Sequence, residues 1–388
     1  MKILHTSDWH VGKKLGRYDR MAEYRDVLGE VVRVADAEDV DLVLVSGDLF
    51  DRAAPPMDAL ALVVETLTDL SGDGTRPVVA VSGNHDSGPL FEVLDPLLAP
   101  LGIRLVGDVK RPEEGGVLAV TTRNGDAAIG CFPFLREGRV VDFMEEMGSW
   151  YGTYADRVRQ ITTAYAARAS ELAGPDGVAL LVAHFMVTGV RVGGHGRPRG
   201  ERALHMGEAY SATSQAVPTS LSYVAMGHIH APQPIPGAQV PAEYAGSLLE
   251  LDFGEAGERK RVVIVEAEPG LPASVRSVPL SGGRRLMRAT GRWEELIERP
   301  DLVDAFVDLT VETNGPDQGL ADRARQHFPF LVKVAASYAR AEVDRPARSG
   351  LAWDELYRDF VTKRTGAEPS DELLTAFRTV LDEAGRQE

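Results

Sequence analysis

The sequence predicts an α/β fold with more than one domain, and three observations carry that reading. Apolar runs of strand length recur along the first 230 residues, and run after run ends in Asp, Asn or His. Stretches with helical apolar spacing separate several of them. After a Gly-rich junction, "PLSGGRR", the pattern shrinks to a miniature strand and helix alternation followed by an amphipathic tail. At 388 residues the chain is also too long for one ordinary domain.

Taken in order, residues 1–6 are a short apolar strand leading into "SDWH", and a helix is expected over 21–37. "DLVLVSGD" (41–48) is a continuous apolar run, as expected of a strand buried on both faces. A helix over 58–70 precedes "RPVVAVSGNHD" (76–86), which repeats the pattern. A weaker strand pair at 117–121 and 127–132 and a helix over 151–172 lead to "GVALLVAHF" (177–185). "LSYVAMGHIH" (221–230) ends the series, and further strands are expected at 240–245, 262–267 and 274–280. Residues 286–343 then read strand, helix, strand, helix, strand, with "AFVDLTVET" and "FLVKVAASYA" as the clearest strands. From Trp353 onward apolar and charged residues alternate at helical spacing, with "GAEPSDE" as the break between two helices.

Bulk composition narrows the class. Hydrophobic residues make up 44% and charged residues 26%, enough apolar mass for a real core. No stretch approaches the roughly 20 apolar residues of a membrane helix, and Asp8 and His10 interrupt the N-terminus too early for an apolar signal region. A single cysteine, Cys131, excludes an internal disulfide framework and fits a reducing cytoplasm. A net charge of −16 argues against a protein that wraps nucleic acid with a basic surface. Bound divalent cations would reverse that sign locally.

The strand-end residues form the candidate site: Asp8 and His10, Asp48, Asn84 and His85, His184, then His228 and His230. Five of the nine histidines fall in this set. Singly, each reads as a turn or a hydrogen-bonded strand end. Jointly, unrelated turns have no reason to choose ligand side chains again and again. In layered α/β proteins the carboxyl ends of strands converge on one crevice. Carboxylate, imidazole and amide oxygen without thiolate suit Mn²⁺, Fe²⁺ or Zn²⁺ better than Ca²⁺. The set exceeds the needs of one ion, so two divalent ions sharing a carboxylate are expected, about 3.5–4 Å apart, acidifying a water between them. His85, next to Asn84 but unable to share its direction, is the expected general acid. Asp8 and His10 are expected to point the same way because alternate strand residues share a face, with Trp9 turned away into packing.

The ordered blocks "DWH", "GDLFD", "GNHD", "AH" and "GHIH" resemble the calcineurin-type metallophosphoesterase superfamily. "TSDWHVGKKL", "GDLFDRAAPP", "YVAMGHIHAPQ" and "YAGSLLELDFGE" are similar to its bacterial SbcD-type branch of DNA repair nucleases. That resemblance implies a layered β-sandwich metallophosphoesterase core flanked by helices over 1–283. It further implies a small α+β capping domain over 284–345 and a helical segment over 346–388 that grips the coiled coil of an SbcC-like ATPase. Asp8, His10, Asp48 and His230 would hold one metal; Asp48, Asn84, His184 and His228 would hold the other. His85 matches the family's proton-donating histidine. Manganese is the expected metal, with Mg, Fe or Zn as alternatives. The implied activity is double-strand exonuclease and single-strand or hairpin endonuclease action in DNA repair and recombination. The implied assembly is a homodimer within a heterotetramer, nucleoid-associated and away from membranes.

Other residues are weighed beside these. Asp51 either orients a ligand or His85, or simply forms the turn before "RAAPP". Arg191, Arg197, Arg199 and Arg202 lie in the one locally basic loop and would hold DNA phosphates, the alternative being a solvated charged loop. His5 falls too early in its strand and is expected to pack or hydrogen-bond below the site, while His195, His205 and His327 read as surface or structural. Two other functions compete: a phosphatase or small-molecule phosphodiesterase, and a scaffold that recruits an ATPase without catalysis. "GNHD" in place of "GNHE", and about 130 residues beyond the core, count against the first. The full ligand set counts against the second.

Overall fold

Continuous apolar strands need cover on both faces, and two six-stranded sheets stacked on each other between helices provide it. The computed structural model describes residues 1–136, 153–192, 211–338 and 352–384. The first part of the chain runs β1 (Lys2–Thr6), α1 (Met21–Ala37), β2 (Leu42–Val45), α2 (Met57–Ser71), β3 (Val78–Val81), α3 (Gly88–Leu98) and β4 (Ile103–Val106). Next come β5 (Val117–Thr122), β6 (Gly125–Phe132), α4 (Tyr154–Ala173), β7 (Val178–His184), β8 (Met186–Val187) and β9 (Ser211–Ala212). β10 (Tyr223–Gly227), β11 (Gln233–Pro234), β12 (Ala242–Tyr244), β13 (Arg261–Glu266) and β14 (Ser274–Pro279) complete the two large sheets.

The first sheet has the order β14-β13-β1-β2-β3-β4 and the second β11-β12-β10-β7-β6-β5. β1 to β4 are mutually parallel, as are β6, β7, β10 and β12, so the catalytic candidates leave both sheets from carboxyl ends. Alternation decides which layer each side chain enters. Leu42 and Leu44 pack between the sheets with Ile3, Val79, Leu180 and Val182, whereas Val43 and Val45 face α1 and α2. Tyr24, Val27, Leu28, Val31 and Ala35 form the buried stripe of α1. On the far side Val158, Ile161, Tyr165 and Ala169 of α4 cover Leu181 and Ala183. α4 begins in a capping box in which Thr153 and Asp156 satisfy each other's backbone N–H groups.

Residues beyond the large sheets form a three-stranded sheet of β15 (Leu286–Arg292), β16 (Phe306–Glu312) and β17 (Leu331–Ser337), with α5 (Trp293–Ile297) and α6 (Leu320–His327) between strands. Leu296, Leu302, Val307, Leu309, Val311, Ala324 and Phe328 make its core. Leu286 and Phe306 pack on Leu15, and the Tyr18 hydroxyl lies 2.9 Å from the carbonyl oxygens of Pro329 and Leu331. Glu250 adds a second tie, accepting from Leu286 N at 2.6 Å and Gly257 N at 2.5 Å.

The chain parts into two compact units, Met1–Glu312 with Asp317–Ala336, and Thr313–Pro316 with Ser337–Glu388. In the second unit α7 (Trp353–Thr365) and α8 (Asp371–Ala384) pair through stacked Tyr357 and Phe377 rings, 4.0 Å between centroids, and an Arg378–Asp354 bridge. Trp353, Phe360, Leu373 and Val380 are exposed on these helices. Among the described residues no helix is long and apolar enough to cross a membrane.

Candidate metal centre

Loops leaving β1, β2, β3, β7 and β10 meet at one point. β1 ends at Thr6, so the strand-face argument for Asp8 and His10 does not hold; both residues lie beyond the strand in left-handed backbone, φ 50° and 49°. Asp48 (φ 53°) and His228 (φ 93°) share this conformation. Such φ values cost energy for residues with a Cβ and concentrate at functional sites. They are held by cross-bonds between loops: Asp8 N donates to Gly47 O at 3.0 Å and His10 N to Asp48 O at 2.9 Å. Close approach also dictates two glycines. A Cβ on Gly83 would meet the Asp48 carboxylate, and one on Gly227 would meet the Ser46 carbonyl and the Ser7 hydroxyl.

The ligand-type atoms are gathered at distances suited to a shared cation. His10 Nε2 is 3.1 Å from His230 Nε2 and 3.5 Å from Asp48 Oδ2. His184 Nε2 is 3.4 Å from Asp48 Oδ2 and 3.1 Å from Asn84 Oδ1, and His228 Nδ1 is 2.8 Å from the same Asn84 oxygen. Bonds of about 2.1 Å at right angles separate neighbouring ligand atoms by about 3 Å, so these spacings are those of a coordination shell. Asp8, His10 and His230 group together, as do Asp8, Asp48 and His184. Asp8 is common to both groups, and Asp48 Oδ2 lies between the imidazoles of His10 and His184. Asp8 accepts from His228 N at 3.0 Å and Asp48 from His85 N at 2.8 Å. His184 Nδ1 donates to Ser46 O at 2.7 Å and His230 Nδ1 to Glu255 Oε1 at 2.8 Å, so each turns the lone pair of its Nε2 inward.

The electrostatics agree with that fit. Asp8, Asp48, His10 and His184 are almost wholly buried. Burial opposes the Asp48 charge, yet His184, His10 and His85 hold its carboxyl well below the usual range. Burial likewise opposes the charge of His184, but Asp48 and Asp8 push it up to about 9. His230 rises against burial because of Glu255 and Asp8. Burial lifts the Asp8 carboxyl and depresses His10 strongly. Carboxylates that draw protons onto two of the buried imidazoles, His184 and His230, against burial favour positive charge beside them, and the donor set suits a divalent ion.

The remaining candidates are distributed differently. His85 Nδ1 donates to the Asp51 carbonyl at 2.9 Å, and the His85 ring sits 4.7 Å from that of His10. The Asp51 carboxylate itself pairs with Lys13 Nζ at 3.1 Å and lies 4.0 Å from His10 Nδ1. The Asp51 carbonyl thus holds the His85 ring, and the Asp51 carboxylate lies in a further group of ligand-type atoms with His10 and His85. His5 lies below the site as expected, its nitrogens 2.8 Å from Tyr223 OH and Ser46 Oγ, and Trp9 is fully buried with Nε1 bonded to Thr6. Arg191 is exposed, its backbone N held by Gln233 Oε1 at 2.8 Å. Arg197, Arg199, Arg202, His195 and His205 lie outside the described residues. His327 is in the small sheet unit, 3.2 Å from the Ile297 carbonyl.

Two contributors escape a reading by strand ends. Asp86 is fully buried and accepts from the backbone of Gly83, Leu49 and Phe50, which joins the "GNHD" and "GDLFD" loops. Burial and the nearby Asp48 raise it to about 7. Glu255 backs His230 from 25 residues away. The signal for the first was its place at the end of "GNHD"; the second had only the "LELDFGE" stretch and no spacing rule.

Residues 1–232 match the model of the family described as calcineurin-like phosphoesterase. The chain is 30% identical to the SbcD component of the nuclease SbcCD from Bacillus subtilis (strain 168), over 97% of each sequence. It is 29% identical to the protein of that name from Rhodobacter capsulatus, over 89% of this chain and 81% of that one. Against the Escherichia coli (strain K12) protein of the same name the identity is 26%, over 81% and 78%.

Proposed function

Because the chain belongs to the calcineurin-like phosphoesterase family, we propose that it is the DNA-cleaving component of an SbcCD-like complex. It hydrolyses DNA phosphodiesters with Mn²⁺, as double-strand exonuclease and single-strand or hairpin endonuclease, in repair and recombination. The observation that carries this reading is the position of Asp48, 3.5 Å from His10 Nε2 and 3.4 Å from His184 Nε2 at the junction of two ligand sets.

Asp8, His10, Asp48 and His230 would hold one ion, and Asp48, Asn84, His184 and His228 the other. When bound, such a pair would neutralise phosphate oxygens and would lower the pKa of a bound water. The protein's own part in the reaction is positional and acid–base. As the oxygen of a water that has released one proton to solvent bonds to phosphorus and the P–O3′ bond breaks, His85 gives its Nε2 proton to the leaving oxygen. The Asp51 carbonyl keeps the other His85 nitrogen occupied at 2.9 Å, which supports this orientation. Arg191, Arg197, Arg199 and Arg202 would meet DNA phosphates beside the site.

The reading extends to the assembly. Residues 1–283 form the nuclease domain, 284–345 the cap and 346–388 the segment that binds a coiled-coil SbcC-like ATPase. The exposed Trp353, Phe360, Leu373 and Val380 support the last assignment. Val93, Leu97 and Leu101, exposed at four-residue spacing on and just after α3, support a homodimer within a heterotetramer. The complex works in the cytoplasm at the nucleoid.

Purified protein with Mn²⁺ should degrade linear DNA, and His85→Ala should abolish cleavage while leaving Mn²⁺ bound. Inert DNA together with brisk hydrolysis of a phosphoprotein or a cyclic nucleotide would overturn the nuclease reading.

A further inference from the structure

The nitrogens behind the imidazoles of the centre are not held alike. His184 Nδ1 rests on a neutral carbonyl, that of Ser46 at 2.7 Å. His10 Nδ1 is buried without a hydrogen bond, 4.0 Å from an Asp51 carboxylate oxygen. Of these and His230, only His230 is backed by a carboxylate at hydrogen-bond distance, Glu255 Oε1 at 2.8 Å. Glu255 is 1% exposed and its second oxygen accepts from Lys260 Nζ at 2.8 Å and Leu251 N at 3.0 Å. Lys260 Nζ also reaches Ser247 Oγ at 2.8 Å, Glu258 Oε2 at 2.9 Å and the His230 carbonyl at 3.2 Å. A buried carboxylate with this many donors is fixed in place and stays charged.

We propose that Glu255 is the positioning residue of the centre: it locks His230 with Nε2 facing inward, raises that nitrogen's basicity, and so makes one of the two metal positions stronger. Lys260 has the separate task of neutralising Glu255 and fastening the His230 backbone. A carboxylate behind a ligand histidine strengthens it as a donor. Glu255 has no such link to His184, so its effect is confined to the position that uses His230. The inference rests on the two-ion reading above and goes further by making the two positions unequal and naming the cause.

The test is Mn²⁺ binding alone, followed calorimetrically and by the electron paramagnetic resonance of the spin-coupled pair, on the full chain without DNA. Wild type should bind two ions. If it binds none, the two-ion reading fails before Glu255 is in question. Glu255→Gln should keep one site and weaken the other by roughly 10- to 100-fold, replacing the coupled signal with that of isolated Mn²⁺. Glu255→Asp, which keeps the charge, should recover part of the loss. Two sites of unchanged affinity in Glu255→Gln, or equal loss from both, would overturn the proposal. Should Glu255→Gln not fold, Glu255→Asp decides: the shorter side chain keeps the charge but draws back from His230 Nδ1, so Mn²⁺ affinity should fall at one site and hold at the other, and two sites of unchanged affinity would overturn the proposal.

Discussion

His5 offers a test of the fold that is independent of catalysis. Its ring is fully buried between Tyr223 OH and Ser46 Oγ, two hydroxyls that can give and take one hydrogen bond each with a neutral imidazole. Burial, aided by the Arg261 charge, lowers its pKa from 6.5 to about 3. Above pH 6.5 the ring is neutral in both folded and unfolded chains, and its full contribution to stability is present. As pH falls below 6.5 the unfolded chain takes up a proton that the folded chain refuses. Stability is then lost at about 1.4 kcal/mol per pH unit until about pH 3. Urea unfolding of wild type and His5→Gln, both with chelator, would measure this between pH 7 and 5. Groups common to both proteins cancel in the difference. The stability gap between them should shrink by about 2 kcal/mol from pH 6.5 to pH 5. Parallel curves across that window would show that His5 is charged in the folded state and refute the argument.

Three further outcomes follow from packing. Gly83→Ala drives a methyl into the Asp48 carboxylate; it should cost about 1–3 kcal/mol, read by thermal unfolding, and lower Mn²⁺ affinity along with cleavage. Tyr18→Phe removes the hydroxyl that lies 2.9 Å from Pro329 O and Leu331 O. It should cost about 0.5–1.5 kcal/mol and speed amide exchange in β17, with α1 unaffected. The Cys131 thiol is fully buried, and burial pushes it up to about 12. In mildly alkaline buffer it should resist a disulfide reagent until the protein is unfolded, then react with one equivalent; rapid labelling of native protein would contradict the burial.

Much of the architecture was legible because burial on both faces writes itself as uninterrupted apolar runs. β2 and β3 are four-residue strands without a polar side chain, and each is followed by the loop that carries site residues. The helix at Met21–Ala37 was set by its 3.6-residue stripe. What spacing could not convey was how side chains converge. Asp8 and His10 meet through left-handed backbone rather than strand alternation, and such conformations leave no periodic trace. Glu255 reaches His230 through a loop, and Asp51 serves through a carbonyl that every residue possesses. Side-chain identity points to candidate ligands; it is silent on backbone acceptors and on partners brought together only by the tertiary fold.

Glu250 has a consequence for modularity. Its carboxylate receives both Leu286 N, at the start of the small sheet, and Gly257 N, two residues beyond Glu255, while Arg20 grips its carbonyl at 2.6 Å. The small sheet is therefore not a detachable ornament. Cutting the chain at residue 283 would strip Glu250 of a buried donor, uncover Leu15, and loosen the turn that presents Glu255. A shortened enzyme built that way should keep the two large sheets and yet handle its metals differently. Any attempt to exchange this small sheet for another must carry along the acceptor for its first strand.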